Sequence, residues 1–169
     1  MRSQCGPKFS RRAAFLPTVP VLSKYTINAP ETSHLNLRLT NGEISLQGLR
    51  GGTAKVELAN GRLTVVNCFA TIEARSANGV MECFFDWWEN LPGSINFALR
   101  DGRIGARLPA DARFRVNAQT GTGRIGNGFG FTPSDRGPGQ SLAGGTAPQP
   151  LVSLGMHAGK GNITIDAIR

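Results

Sequence analysis

The sequence predicts an all-β fold, and within that class a β-solenoid of about six short coils. A glycine corner recurs along the chain, at Gly42, Gly61, Gly79, Gly102, Gly123 and Gly161. Successive corners are 19, 18, 23, 21 and 38 residues apart. A repeat near 20 residues is typical of stacked architectures. No window carries an amphipathic helical stripe.

Apolar residues occupy the same offsets from each glycine. Seven residues before it stand Leu35, Ala54, Ile72, Ile95, Val116 and Leu154. Two residues after it stand Ile44, Leu63, Met81, Ile104, Ile125 and Ile163. Polar residues fill most positions between these columns, and alternation with period two indicates strands buried on one face. The glycine suits a corner because it tolerates positive φ.

Two architectures satisfy this pattern. Asn-Gly between alternating runs is a strong hairpin signal, which would give an antiparallel β-meander or sandwich. Alternatively, each repeat is one coil of a solenoid, and successive coils pair in parallel. The columns of like apolar residues favour the solenoid, because a coil places each residue on its counterpart in the next coil.

The chain divides into a leader and one domain. Residues 1–22 hold Arg11-Arg12, as in a twin-arginine export motif, but Pro17 and Pro20 interrupt the apolar run after it, so a flexible leader is expected. Residues 23–169 form a single β-repeat domain. Its segment 132–150 is rich in Gly, Pro, Ser and Ala and predicts a disordered loop. No signal peptide or membrane-spanning stretch is visible, which leaves the location open.

Two outward features suggest a partner surface. In the run Phe84 to Gly93, continued alternation places Phe85 and Trp87 inside and leaves Phe84 and Trp88 outside, where they could receive a partner. If the fourth and fifth repeats are adjacent coils, Arg103 and Arg124 stack with like charge. The candidate partner surface therefore comprises Phe84, Trp88, Arg103 and Arg124, although packing under a long corner would equally explain the aromatic residues.

No residue set specifies a reaction, a cofactor or a metal. The string at 121–126 matches G-x-G-x-x-G, but no helix can follow it. His34 and His157 lie in distant repeats, and the carboxylates of Glu57 and Glu73 have offsets that need not converge. The cysteines, Cys5, Cys68 and Cys83, lack metal-ligand spacing, and a bridge between the last two is not expected.

Four strings of the repeat resemble the bacterial "putative adhesin" domain, a β-strand-repeat family of unknown function. They are the runs at 39–46, 58–65, 107–116 and 161–165, within a resemblance that covers residues 24–169. The resemblance implies a right-handed β-solenoid on exported or membrane-tethered bacterial proteins, hence a cell-surface or cell-envelope location. It carries no catalytic or binding residues.

The expected function is therefore a non-enzymatic surface or scaffold module with a protein or glycan partner. A carbohydrate-active enzyme on the same scaffold is the alternative. The formal net charge of +8 also admits a basic surface that binds acidic polymers, although the charges are scattered and no specific nucleic acid is expected. Open coil ends are edge strands that invite self-association.

Overall fold

A computed structural model describes residues 29–169, so the predicted leader at 1–22 lies outside the described residues. One nine-stranded sheet organises the described chain, which includes no helix long and apolar enough to cross a membrane. In chain order the strands are β1 His34–Gln47, β2 Arg50–Val66, β3 Phe69–Phe84, β4 Gly93–Pro109, β5 Phe114–Thr122, β6 Ile125–Asn127, β7 Ser134–Arg136, β8 Gly139–Gly145 and β9 Val152–Ile168. The predicted all-β class is confirmed, and the strands form one open sheet.

The repeats pair in parallel and in register. Gly42 pairs with Gly61, Gly61 with Gly79, and Gly79 with Gly102. Each Asn-Gly or Asp-Gly pair lies inside a strand that bends at the glycine, so the antiparallel hairpins of the alternative prediction are wrong. The arrangement is that of stacked solenoid coils, and its right-handed sense stays a prediction.

The corner glycines adopt the backbone that only glycine accommodates easily. Their φ angles lie between +132° and +140°, in the region where L side chains are strained. From Gly61 onward, a Cβ atom would also collide with the backbone of the neighbouring corner glycine. Two independent constraints thus require glycine in every interior coil.

The inward columns form one core, as the alternation predicts. Ile72, Ile95 and Leu154 are almost fully buried, and so are Leu63 and Ile104. Burial of each such side chain contributes about 1.5–3 kcal/mol. The corresponding residues of β1, Leu35 and Ile44, are only partly buried, because β1 is the edge of the described sheet and has no coil on its outer side.

The order of the coils differs from the order of the sequence. The strands run β1-β2-β3-β4-β9-β5-β8-β7, with β6 also paired to β9. The last repeat is therefore inserted between the fourth and the fifth. Ile104 pairs with Ile163, which pairs with Ile125, so two of the predicted neighbours have a third residue between them.

The segment 132–150, predicted as a disordered loop, carries strands instead. Residues 139–145 form β8, which pairs antiparallel with β5, and residues 134–136 form β7 on its outer side. The segment has too little apolar content to build a core of its own. Its order comes from the backbone donors and acceptors that the edge of β5 supplies.

The chain leaves β3 differently from the predicted alternation. Phe85 is buried as predicted, but Trp87 is 46% exposed and Trp88 packs against the core. The parity breaks at Asp86, whose backbone N–H donates to Asn67 Oδ1 at 2.8 Å while its carboxylate accepts from Asn67 Nδ2 at 2.9 Å. These bonds turn the chain, so the predicted positions of Trp87 and Trp88 are exchanged.

Candidate functional site

The predicted arginine pair does not stack. Arg103 pairs with Asn162 of β9, and the Oδ1 atom of Asn162 accepts a hydrogen bond from the backbone N–H of Arg124 at 2.9 Å. Arg103 also lies 3.9 Å from Glu82, which forms a closer ion pair of 2.8 Å with Arg62. The predicted like-charge contact between Arg103 and Arg124 is therefore absent, because Asn162 lies between the two arginines.

The two aromatic members of the predicted surface have structural partners. Phe84 is half-buried, and the guanidinium of Arg107 lies 5.3 Å from its ring centroid. Trp88 packs edge-on against Phe69 at 5.7 Å between ring centroids. It also lies 6.4 Å from Phe114, so it closes the core instead of facing outward. That Arg103 and Arg124 contribute to a partner surface stays a prediction. The predicted outward placement of Trp88 is wrong.

A shallow trough lies elsewhere, on the outer face of the strand segments that precede the glycine corners. It crosses β3, β4, β9 and β5 and has a volume of about 520 Å³. Its floor is low because Ala98 of β4 and Gly155 of β9 carry little or no side chain. Longer polar residues border it on both sides, Glu73 and Arg75 on one and those of β5 on the other. The β5 side presents Arg115, Asn117 and Gln119.

A short hydrogen-bond network positions the floor of the trough. Asn96 Nδ2 donates to Ser94 Oγ at 3.0 Å, and Ser153 Oγ donates to the same oxygen at 3.1 Å. The carboxamide oxygen of Asn96 lies directly over Gly155, in the space that a Cβ atom would occupy. The side chain of Asn96 is thus held in place before any ligand arrives, which lowers the entropic cost of binding.

The two arginines of the trough belong to the arginines of the described chain that have no carboxylate partner. Arg75 and Arg115 make no ion pair within residues 29–169. Five other arginines there do: Arg38, Arg50, Arg62, Arg100 and Arg103. Arg38 has the same offset from its corner glycine as Arg75, yet lies 3.0 Å from Glu57. The trough therefore presents positive charge that no carboxylate of the described chain neutralises at contact distance.

The residues weighed for catalysis are not assembled into a reactive centre. His34 of β1 and His157 of β9 are separated by β2, β3 and β4, about 19 Å at the usual strand spacing. Glu57 and Glu73 are diagonal neighbours on exposed faces of β2 and β3, and Glu57 is engaged by Arg38. No group of three or more His, Cys, Asp or Glu residues within 29–169 could hold a metal ion.

The two cysteines of the described chain are buried free thiols. Burial raises the pKa of the Cys83 thiol to about 12. Desolvation also raises the pKa of Cys68, against the smaller opposing effect of backbone hydrogen bonds, the largest from Leu49. Nucleophilic chemistry requires the thiolate, so neither cysteine is suited to it at neutral pH.

Sequence reasoning missed the trough, although one signal was present. The outward columns four and six residues before the corner glycine are polar except at Ala98 and Gly155. These interruptions adjoin only because β9 lies beside β4, and the sequence order places the fifth repeat there instead. The two small residues could therefore be seen in the sequence, but only the coil order shows that they lie side by side.

Comparison with known proteins supports the fold. The crystal structure of a "putative cell adhesion protein" from Clostridium sporogenes ATCC 15579 is similar, with a TM-score of 0.59 and 13% sequence identity. The similarity covers 82% of this chain and 93% of that one. No family model matches the chain, and no curated protein matches it. At this identity the likeness concerns the arrangement of the strands alone.

Proposed function

We propose that this chain is a non-enzymatic binding module of the adhesin type, which holds a partner at the cell surface through the outer face of its sheet. The single observation that carries the proposal is the trough between Arg75 and Arg115. It is concave, it is rich in groups that can form hydrogen bonds, and its arginines are unpaired within the described chain. Such a surface suits recognition of a polar ligand.

Two further observations support binding over catalysis. The carboxylates of Glu57 and Glu73 are exposed to water, whereas a glycosidase needs one carboxyl group that burial keeps protonated. The similar solved structure is described as a cell adhesion protein, and we extend that role to this chain as part of the proposal.

The test is a binding and turnover screen with the purified protein. Immobilised glycans and cell-envelope fractions are offered to the protein, and bound protein and released reducing ends are measured together. The proposal expects saturable binding with no product above a blank. Release of product that Glu57→Gln or Glu73→Gln abolishes would establish the carbohydrate-active enzyme instead.

A further inference from the structure

Building on the proposed function, we propose that the trough binds an acidic polysaccharide, with uronate carboxylates on Arg75 and Arg115 and sugar hydroxyls on the amides between them. The inference depends on three features of the trough: the spacing of its arginines, the chemistry of the groups between them, and the absence of exposed Phe, Tyr or Trp rings among its lining residues.

The spacing of the two arginines favours a polymer over a small anion. Arg75 lies in β3 and Arg115 in β5, three strand spacings apart, which is about 14 Å. In register, Arg115 pairs with Ser153, Ser153 pairs with Ser94, and Ser94 pairs with Thr71. Thr71 lies four residues before Arg75 in β3. That offset adds about 13 Å along the strands, so the two Cα atoms are roughly 20 Å apart. One carboxylate cannot reach both guanidinium groups, but a chain with carboxylates at intervals can.

Guanidinium groups and carboxylates match in geometry as well as in charge. A carboxylate accepts two parallel N–H donors from one arginine, and such charge-assisted pairs are stronger than neutral hydrogen bonds. Because Arg75 and Arg115 make no ion pair within the described chain, a ligand need not displace an existing partner to reach them.

The groups between the arginines suit hydroxyls. Asn96 and Asn117 each present an amide, Gln119 presents a third, and Ser153 adds a hydroxyl. Amides and hydroxyls both donate and accept hydrogen bonds, as sugar hydroxyls do. The low floor at Gly155 lets a ring approach the sheet.

Other acidic macromolecules fit less well. The Phe97 ring is 2% exposed, and the one exposed ring among the lining residues is the small imidazole of His157, so the trough lacks the row of large aromatic rings on which successive nucleobases stack. A protein partner would be anchored by large aromatic or aliphatic side chains in a deep pocket, whereas this trough is shallow and the side chains that border it are polar.

The experiment measures retention on immobilised polygalacturonate, with uncharged dextran and sulfated heparin as parallel matrices. The double variant Arg75→Gln/Arg115→Gln is compared with Arg103→Gln/Arg124→Gln, which removes the same charge at the corner edge. Loss of two charge-assisted contacts predicts about a tenfold or greater fall in affinity for polygalacturonate in the first variant and less than about a twofold fall in the second.

Gly155→Ala provides a second variant that keeps every charge. The backbone at Gly155 does not require glycine, and the nearest atoms to the added methyl belong to the exposed side chain of Asn96, which can turn away when its hydrogen bond to Ser94 breaks. We expect an unchanged melting temperature and weaker retention, because the methyl fills the floor of the trough and displaces the carboxamide. Unchanged affinity in a folded Gly155→Ala protein would contradict binding in the trough.

The remaining outcomes are decisive in different ways. Equal losses in both double variants would mean diffuse attraction to a basic protein and would overturn the assignment of the site. Retention on dextran as strong as on polygalacturonate would overturn the acidic ligand class but leave the proposed binding function standing. Stronger retention on heparin than on polygalacturonate would replace carboxylate with sulfate as the anion. If the protein binds none of the three matrices but still binds a cell-envelope fraction, the polysaccharide ligand is overturned and the proposed binding function stands. If it binds neither the matrices nor the envelope fraction, the proposed function is overturned as well.

Discussion

The two halves of the sheet are built from the same repeat but are assembled differently. In β1, β2 and β3 the neighbours in space are neighbours in sequence, so each coil stacks on the one before it. Beyond β4 the chain passes over one coil position, forms β5 and the β7–β8 pair, and returns as β9 to fill that position. The difference shows that the repeat determines which residues of neighbouring coils lie in register. It does not determine which coils are neighbours.

The largest expected effect comes from removing residues 151–169, which form β9 and the residues beside it. In a sequential stack this would remove only an end coil. Here it separates β4 from β5, and we expect loss of the cooperative thermal transition in circular dichroism.

Starting the chain at Gly48, which removes the edge strand β1, is the matched control. It should leave a folded protein with a lower melting temperature, because only one side of β2 becomes exposed. Equal damage from both deletions would contradict the importance of the inserted coil.

Replacement of corner glycines separates interior coils from the edge. In Gly161→Ala the added Cβ atom would collide with the carbonyl of Gly102, in addition to straining the positive φ. In Gly42→Ala the nearest atom is the movable Cδ2 of Leu39 at 3.1 Å. We expect a loss above about 3 kcal/mol for the first and about 1–2 kcal/mol for the second, measured by urea denaturation. Similar losses would show that backbone strain alone requires the glycine.

The aromatic cluster joins the two halves across the inserted coil. Phe114 of β5 is fully buried and contacts Phe129 at 5.0 Å between ring centroids, as well as Trp88 from the loop after β3. Phe114→Ala should reduce the free energy of unfolding by about 3–5 kcal/mol. Trp87→Ala removes a neighbouring but exposed ring and should cost within about 1 kcal/mol, so comparable losses would contradict the assignment of Trp88 and Phe114 to the core.

The smallest expected loss of stability concerns a ladder of asparagine side chains across β1, β2 and β3. Asn60 donates to Asn41 at 3.0 Å and accepts from Asn78 at 2.8 Å, in front of the stacked glycines. Asn60→Ala breaks both bonds and should cost about 1 kcal/mol, whereas Asn41→Ala breaks one and should cost less. Equal free energies of unfolding for the two variants would indicate that the ladder does not contribute to stability.

Much of the candidate site could not have been predicted from the sequence. The outward position of Asn96, Asn117 and Gln119 follows from period-two alternation, and the structure confirms it. The exchange of Trp87 and Trp88 could not be predicted, because hydrogen bonds from Asn67, in the preceding coil, end the alternation. The strands in segment 132–150 could not be predicted either, since they form by pairing with β5, which lies outside the segment.

The sequence by itself determined the local geometry: the inward columns, the glycine corners and the all-β class, because alternation and positive φ are properties of residues close together along the chain. Only the tertiary structure decided that Gly155 lies between Asn96 and Asn117, and hence that a trough exists. Equivalent coils present nearly identical edges, so the choice between them depends on the total packing of the chain and on no single repeat.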